Sequence, residues 1–244
     1  MSYMRIFAIN LEKNVSRLSR LRKKLDAMGI PFERFNAVYG ECLSEKEIAQ
    51  KVNKLHWWSI KGYMPRRGEI GAALSHQGVY RKMALEGIKI CCVFEDDISP
   101  DKRLGAQLRN VKKWMDVTRP QVVLLSNYTK TSSEVWAITP SDGDSSAEAY
   151  VLTGKAAEIL VHCNTPVCAP ADYWVYWRKK GIELYHAFPS VVHPDWIHDS
   201  NYTSDVTPCG SVTLDVRHMN IFLLLMWKLN RICGKLLGRL LYGD

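Results

Sequence analysis

The sequence predicts an α/β fold, one domain built on a parallel sheet, and three observations carry that reading. Short apolar runs alternate with amphipathic stretches along most of the chain. The first two runs, 5–10 and 31–38, are joined by one amphipathic stretch, a β-α-β opening that implies parallel pairing. A third run, 88–94, closes on Glu95-Asp96-Asp97, which puts three carboxylates at the carboxyl end of a strand, the edge where open α/β sheets bind ligands.

The elements follow in order. After the strand at 5–10, Val15, Leu18, Leu21, Leu25 and Met28 recur at steps of three and four, a helix ending at Gly29. The strand at 31–38 comes next. Ser44 with Glu47 three residues on is a capping box for a short helix reaching about residue 54. His56-Trp57-Trp58 and Gly62-Tyr63-Met64-Pro65 hold too many aromatics for a solvated loop; the segment either folds onto the core or offers flat rings to a sugar. A helix over 68–85, with Ile70, Leu74 and Tyr80 inward, leads into the acidic strand, and Gly68 and Gly71 near its start let a backbone or a ligand come close. Further strands are expected at 121–125, at 149–152 and at 183–188, which stops before Pro189. A helix begun at Gly154-Lys155 carries Ala157, Ile159 and Leu160 inward.

At 244 residues and 47% hydrophobic the chain buries one large core, so one domain is expected over 1–217 with an appendage at 218–244. Its loop-rich stretch is 139–146, and no internal repeat is present. Seven cysteines without a CxxC pair give neither a disulfide framework nor a zinc site; adjacent Cys91 and Cys92 read as small buried hydrophobes of a reducing compartment. Met1-Ser2-Tyr3-Met4-Arg5 has no apolar h-region, so export by a secretory signal is not expected. The net charge of +8 points to an anionic partner, and Arg17, Arg20, Arg22, Lys23 and Lys24 crowd the first helix. With no helix-turn-helix, zinc finger or RNP-like aromatic pattern, nucleic acid is not expected to be that partner.

Adjacent hard oxygen donors suit Mg²⁺ or Mn²⁺, which take one or two carboxylates and fill the remaining positions with water and substrate phosphates. Strand alternation puts Glu95 and Asp97 on one side and turns Asp96 away. The bland alternative is that Asp96 and Asp97 only begin a turn before Ser99-Pro100-Asp101.

Ile9-Asn10-Leu11 with Arg17, Ala37-Val38-Tyr39-Gly40, Arg67 to His76 with its Leu74-Ser75-His76 triplet, the EDD strand, Ala149 to Thr153 and Pro170-Ala171-Asp172 together resemble glycosyltransferase family 25, over roughly residues 4–190. The resemblance implies a GT-A type fold, a single Rossmann-like domain with a mostly parallel central sheet, that binds a nucleotide sugar through an acidic motif and Mn²⁺ or Mg²⁺, with inversion at the anomeric carbon. Carried over by position, Asp97 is the first choice for metal ligation, with Glu95 beside it. Asn10, Leu11, Arg17, Gly71, Ser75, His76 and Asp96 fall on the donor side. His76 stands between two readings, a histidine hydrogen-bonded within the structure or a substrate contact. Asp172, flanked by aromatics after a proline-bounded loop, is the candidate base, against an aspartate that only caps or turns. Asp195, in His193-Pro194-Asp195-Trp196, is the reserve, and Trp57, Trp58 and Trp174 are candidates for the acceptor. Ala72-Ala73 departs from the bulkier or cysteine-containing segment that relatives often carry there.

The implied reaction moves galactose from UDP-galactose to a lipooligosaccharide or lipopolysaccharide acceptor. The alternatives are another UDP-sugar donor (glucose or an N-acetylhexosamine) and, from a different class, a non-catalytic carbohydrate-binding or membrane-scaffold protein. A two-metal phosphohydrolase or nuclease would need more ligands than the sequence offers. In the tail, the apolar run 221–227 is too short to cross a bilayer. Lys228, Arg231, Lys235 and Arg239 then form a basic stripe opposite Leu229, Ile232, Leu236, Leu237 and Leu240. Residues 221–242 therefore read as an anchor to an anionic membrane surface or as a helix docked on protein. With a lipid-linked oligosaccharide acceptor, the expected place is the bacterial cytoplasm, peripheral on the cytoplasmic face of the inner membrane. Nothing in the sequence sets an oligomeric state.

Overall fold

A computed structural model describes residues 4–126, 135–143 and 146–195. In chain order the elements are β1 (Arg5–Asn10), α1 (Val15–Ala27), β2 (Glu33–Asn36), a 3-10 turn (Gly40–Cys42), α2 (Glu45–Lys51), α3 (Lys54–Lys61), α4 (Arg67–Leu85), β3 (Ile90–Glu95), β4 (Ile98–Pro100), α5 (Leu104–Trp114), β5 (Gln121–Leu124), β6 (Ala137–Pro140), β7 (Ala149–Thr153), α6 (Gly154–Cys163), α7 (Trp174–Lys179), β8 (Glu183–Phe188) and β9 (Val192–Pro194). The tail expected over 218–244 lies outside the described residues. Among those described, no helix is long and apolar enough to cross a membrane.

The expected class is the observed one, α/β with a mostly parallel sheet. The seven-stranded sheet has the order β2-β1-β3-β7-β5-β8-β6, and β4 pairs with β9 in a small antiparallel ribbon. Strands β2, β1, β3, β5 and β8 run one way, while β7 and β6 run against them. The apolar run of β7 reads the same in either direction, so periodicity does not reveal that it reverses.

Period-two alternation distributes the central strands between two cores. Ile6 and Ala8 of β1 and Cys92 and Phe94 of β3 face Leu21 and Leu25 of α1 and Leu104, Leu108 and Val111 of α5. Phe7, Ile9, Cys91 and Val93 face Val79, Tyr80 and Met83 of α4 and Ala156, Ala157 and Leu160 of α6. Cys91 and Cys92 are free and buried, one in each core, and burial pushes both thiols up, which suits packing rather than chemistry.

Between β2 and α4 the chain does something the sequence pattern only half announces. Ser44 and Glu47 form the capping box, but Asn53 accepts from the His56 N–H and starts α3 as a separate helix. Gly40 and Gly71 then let α4 lie against the 3-10 turn. A Cβ on Gly40 would stand 1.7 Å from the Arg67 carbonyl oxygen, and one on Gly71 would stand 2.6 Å from that of Val38. Ser75 Oγ completes the seam, donating to the Gly71 carbonyl at 2.7 Å and accepting from the Val38 N–H at 2.8 Å.

Candidate functional site

Strands β2 and β3 flank β1 on opposite sides, so the sheet order turns at the β1–β3 pair, and a cleft of about 430 Å³ opens at the carboxyl ends of these strands. Leu11, Arg17, Tyr39, Glu95, Asp96, Asp97 and Asp172 are among its walls. Glu95 is the last residue of β3, and Asp96 and Asp97 make the turn into β4. The strand alternation expected through Asp97 therefore stops at Glu95, and turn geometry places the two aspartates.

Asp96 is 7% exposed and accepts from Asn10 Nδ2 at 2.6 Å. Asn10 is itself held by Arg34 Nε, which donates to its Oδ1 at 2.8 Å. Arg17 Nη1 lies 3.5 Å from Asp96 and 3.8 Å from Asp97. Desolvation raises the Asp96 pKa, and the Asn10 bond and the Arg17 charge oppose that rise. Glu95 accepts from His76 Nε2 at 3.1 Å. Asn10 thus orients the strand end from behind, while Leu11, Arg17, Ser75 and His76 reach the cleft.

Asp172 lines the same cleft from the segment between α6 and α7. Its side chain is open to the cleft, yet the surrounding protein crowds it. That desolvation, then the Glu95 charge, pushes its pKa up, and Lys61 and His76 offset part of the rise. Among the described residues no side chain donates to it.

Several expectations need correcting. Trp57 and Trp174 are 0% exposed and act as packing residues, because their large apolar surface is best removed from water entirely. Trp57 packs with Ile48, Ile70 and Val167. Trp174 lies edge-on to Tyr150 and donates from its indole to the Ser146 carbonyl. Trp58 is half-buried and does not line the cleft. Gly71 meets backbone rather than ligand, and the Ser75 hydroxyl is committed to the seam. Asp195 is 7% exposed, is ion-paired with Lys24 at 3.0 Å and Arg20 at 3.9 Å, and does not itself line the cleft, although its backbone N–H donates to the Asp97 carbonyl at 2.7 Å.

In place of the tryptophans the cleft has Tyr39, Lys61, Tyr63 and Glu69. Lys61 Nζ sits 4.4 Å from the Tyr173 ring centroid, and Tyr63 donates to Glu69 at 2.7 Å. The aromatic segment 56–65 is the signal for Lys61 and Tyr63, but it marks neighbouring tryptophans equally.

Among the described residues no three His, Cys, Asp or Glu side chains converge as a closed metal cage. Glu95 and Asp97 both line the open cleft, and as hard oxygen donors they are of the type that Mn²⁺ or Mg²⁺ takes one or two at a time, with substrate phosphates completing the shell.

The fold and this cleft define an α/β protein with a carboxylate-lined ligand site at the turning point of its sheet. The family model for "Glycosyltransferase family 25 (LPS biosynthesis protein)" matches residues 4–175, and the chain belongs to that family. It is similar to procollagen galactosyltransferase 1-A of Xenopus laevis, 29% identical over 101 residues, covering 40% of this chain and 16% of that protein. A glycosyltransferase 25 family member of Drosophila melanogaster is 33% identical over 251 residues, covering 88% of this chain and 39% of the relative. Procollagen galactosyltransferase 2 of Homo sapiens is 23% identical over 247 residues, covering 84% and 37%. The matches thus span less than half the length of each of these relatives.

Proposed function

We propose that the protein is an inverting, metal-dependent hexosyltransferase that moves galactose from UDP-galactose to an acceptor sugar of a lipooligosaccharide or lipopolysaccharide. One observation carries this reading. The strand-end carboxylates Glu95 and Asp97 share a single cleft with Asp172, a carboxylate whose pKa is raised. The family supports sugar transfer, and the galactosyltransferase names of two relatives support the donor.

Each group then has one task. Glu95 and Asp97 would hold the divalent cation, which when bound offsets the charge accumulating on a departing diphosphate. Asp172 takes the proton from the acceptor hydroxyl as that oxygen bonds to the anomeric carbon and the bond to the diphosphate breaks. A carboxylate with a raised pKa is a stronger base near neutral pH, and general-base catalysis of this kind contributes about 10²–10⁴-fold. The basic stretch 221–242 would keep the enzyme on the cytoplasmic face of the inner membrane, near a lipid-linked acceptor.

Release of UDP from a panel of UDP-sugars, with Mn²⁺ or EDTA, tests the reading. Metal-dependent release from UDP-galactose that disappears in Asp97→Ala supports it. Preference for UDP-glucose or a UDP-N-acetylhexosamine would replace the donor, and no release from any donor with acceptor extract present would overturn the activity.

A further inference from the structure

Three buried polar side chains stand in line behind Glu95. Tyr80, Tyr150 and His76 are 4%, 0% and 1% exposed. Tyr80 Oη lies 2.6 Å from Tyr150 Oη, which lies 2.7 Å from His76 Nδ1, and His76 Nε2 lies 3.1 Å from Glu95 Oε1. The imidazole stacks on the Tyr150 ring with centroids 5.8 Å apart and 24° between planes. Polar groups this deep are costly unless hydrogen-bonded, and each one here is bonded to the next.

We propose that Tyr150, acting through His76, is a positioning residue that fixes the Glu95 carboxylate for its ligand. The inference rests on the reading of Glu95 as a ligand-holding group. A carboxylate only accepts, so Nε2 donates to Glu95; Tyr150 then gives its hydrogen to Nδ1 and takes one from Tyr80. Donation runs one way, from Tyr80 to Tyr150 to His76 to Glu95. It engages Oε1 and leaves Oε2 for the cleft. An imidazole locked on its far nitrogen by a hydroxyl, with its ring stacked on the same phenol, cannot swing, and neither can the carboxylate it holds.

Tyr150 has a second contact. Its ring lies edge-on to Trp174, 5.3 Å between centroids at 72°, and Trp174 follows Asp172 by two positions. One phenol therefore braces two of the cleft's carboxylates, Glu95 through its hydroxyl and the Asp172 segment through its ring. Tyr150→Phe separates the two roles, since it keeps the ring and removes the hydroxyl.

Calorimetric titration of the full chain with UDP in the presence of Mn²⁺, with thermal melting of each variant, tests the proposal. Tyr150→Phe and His76→Ala are expected to weaken Mn²⁺-dependent UDP binding by about 10- to 100-fold, the usual range for groups that orient a ligating side chain. Tyr80→Phe, one bond further out, is expected to cost less than about threefold. His76→Gln, which keeps an N–H toward Glu95, is expected to recover part of the loss seen with alanine. Unchanged affinity in Tyr150→Phe, beside a Glu95→Ala variant that has lost it, would overturn the positioning role and leave the reading of Glu95 standing. Unchanged affinity in Glu95→Ala would overturn both.

Discussion

Asp96 and Asp172 are two aspartates of one cleft, and the protein treats them in opposite ways. Desolvation is the first cause of a raised pKa in both. Around Asp96 the chain has built compensation, with the Asn10 amide at 2.6 Å, Arg17 at 3.5 Å and Arg34 holding Asn10 from behind. Around Asp172 the compensation is weaker: no described side chain donates to the carboxylate, Glu95 adds like charge, and only the Lys61 and His76 charges and its own backbone N–H oppose the rise. A carboxylate bonded by neighbouring side chains is fixed scaffold, whereas one crowded by protein with no side-chain donor among the described residues is disposed to take a proton. The strand end is thus preorganised, and on the proposed function the α6–α7 segment supplies the base.

The comparison is broken most severely at Asn10. Asn10→Ala removes the closest donor to a buried carboxylate and leaves the Arg34 guanidinium without its partner there, at a cost of about 1–3 kcal/mol in stability. Urea denaturation is expected to show it as a lower midpoint with unchanged slope.

Asp172→Asn sharpens the contrast from the other side. Because the folded-state pKa of Asp172 is raised, the contribution of this carboxyl to stability is fully present below the unfolded value of about 3.9 and is lost as pH rises through the higher folded value. Asparagine does not ionise. The stability of the variant relative to the parent should therefore climb with pH across the carboxyl range and level off above it, which denaturation from about pH 3 to pH 8 would measure. A difference that falls with pH would mean that the parent carboxylate is stabilised rather than stressed.

The smallest effect is expected at Lys61, whose charge lowers the Asp172 pKa. Lys61→Gln raises that pKa, so the acid limb of kcat/KM should move to higher pH, by roughly a few tenths of a unit for a pair in an open cleft. A shift to lower pH would detach Lys61 from the base.

Much of the frame was legible because burial on both faces leaves a plain mark. Ile90-Cys91-Cys92-Val93-Phe94 contains no polar residue, and β3 lies between two cores as that demands. The acids that close it were legible as the carboxyl end of that strand, where the structure opens a cleft. What failed to show was tertiary. Trp57 and Trp174 have faces that suit a sugar or a core equally well, and only their neighbours decide. Asp172 and Asp195 both follow prolines closely, and what separates them is Lys24, 171 positions before Asp195, which claims one and not the other. Gly71 announces a close approach without saying that the visitor is the Val38 carbonyl. The His76 relay was half visible, since a histidine hydrogen-bonded within the structure was one of the two readings left open for His76, while its partner Tyr150 looked like any strand tyrosine.

The division of labour between the two carboxylate groups is the central claim, and Asp172→Asn tests it most directly when UDP affinity and galactose transfer are measured on the same preparation with Mn²⁺. The account predicts UDP binding within about twofold of the parent and a transfer rate lower by about 10²–10⁴-fold. Transfer at the parental rate, or loss of UDP affinity in step with transfer, would contradict it.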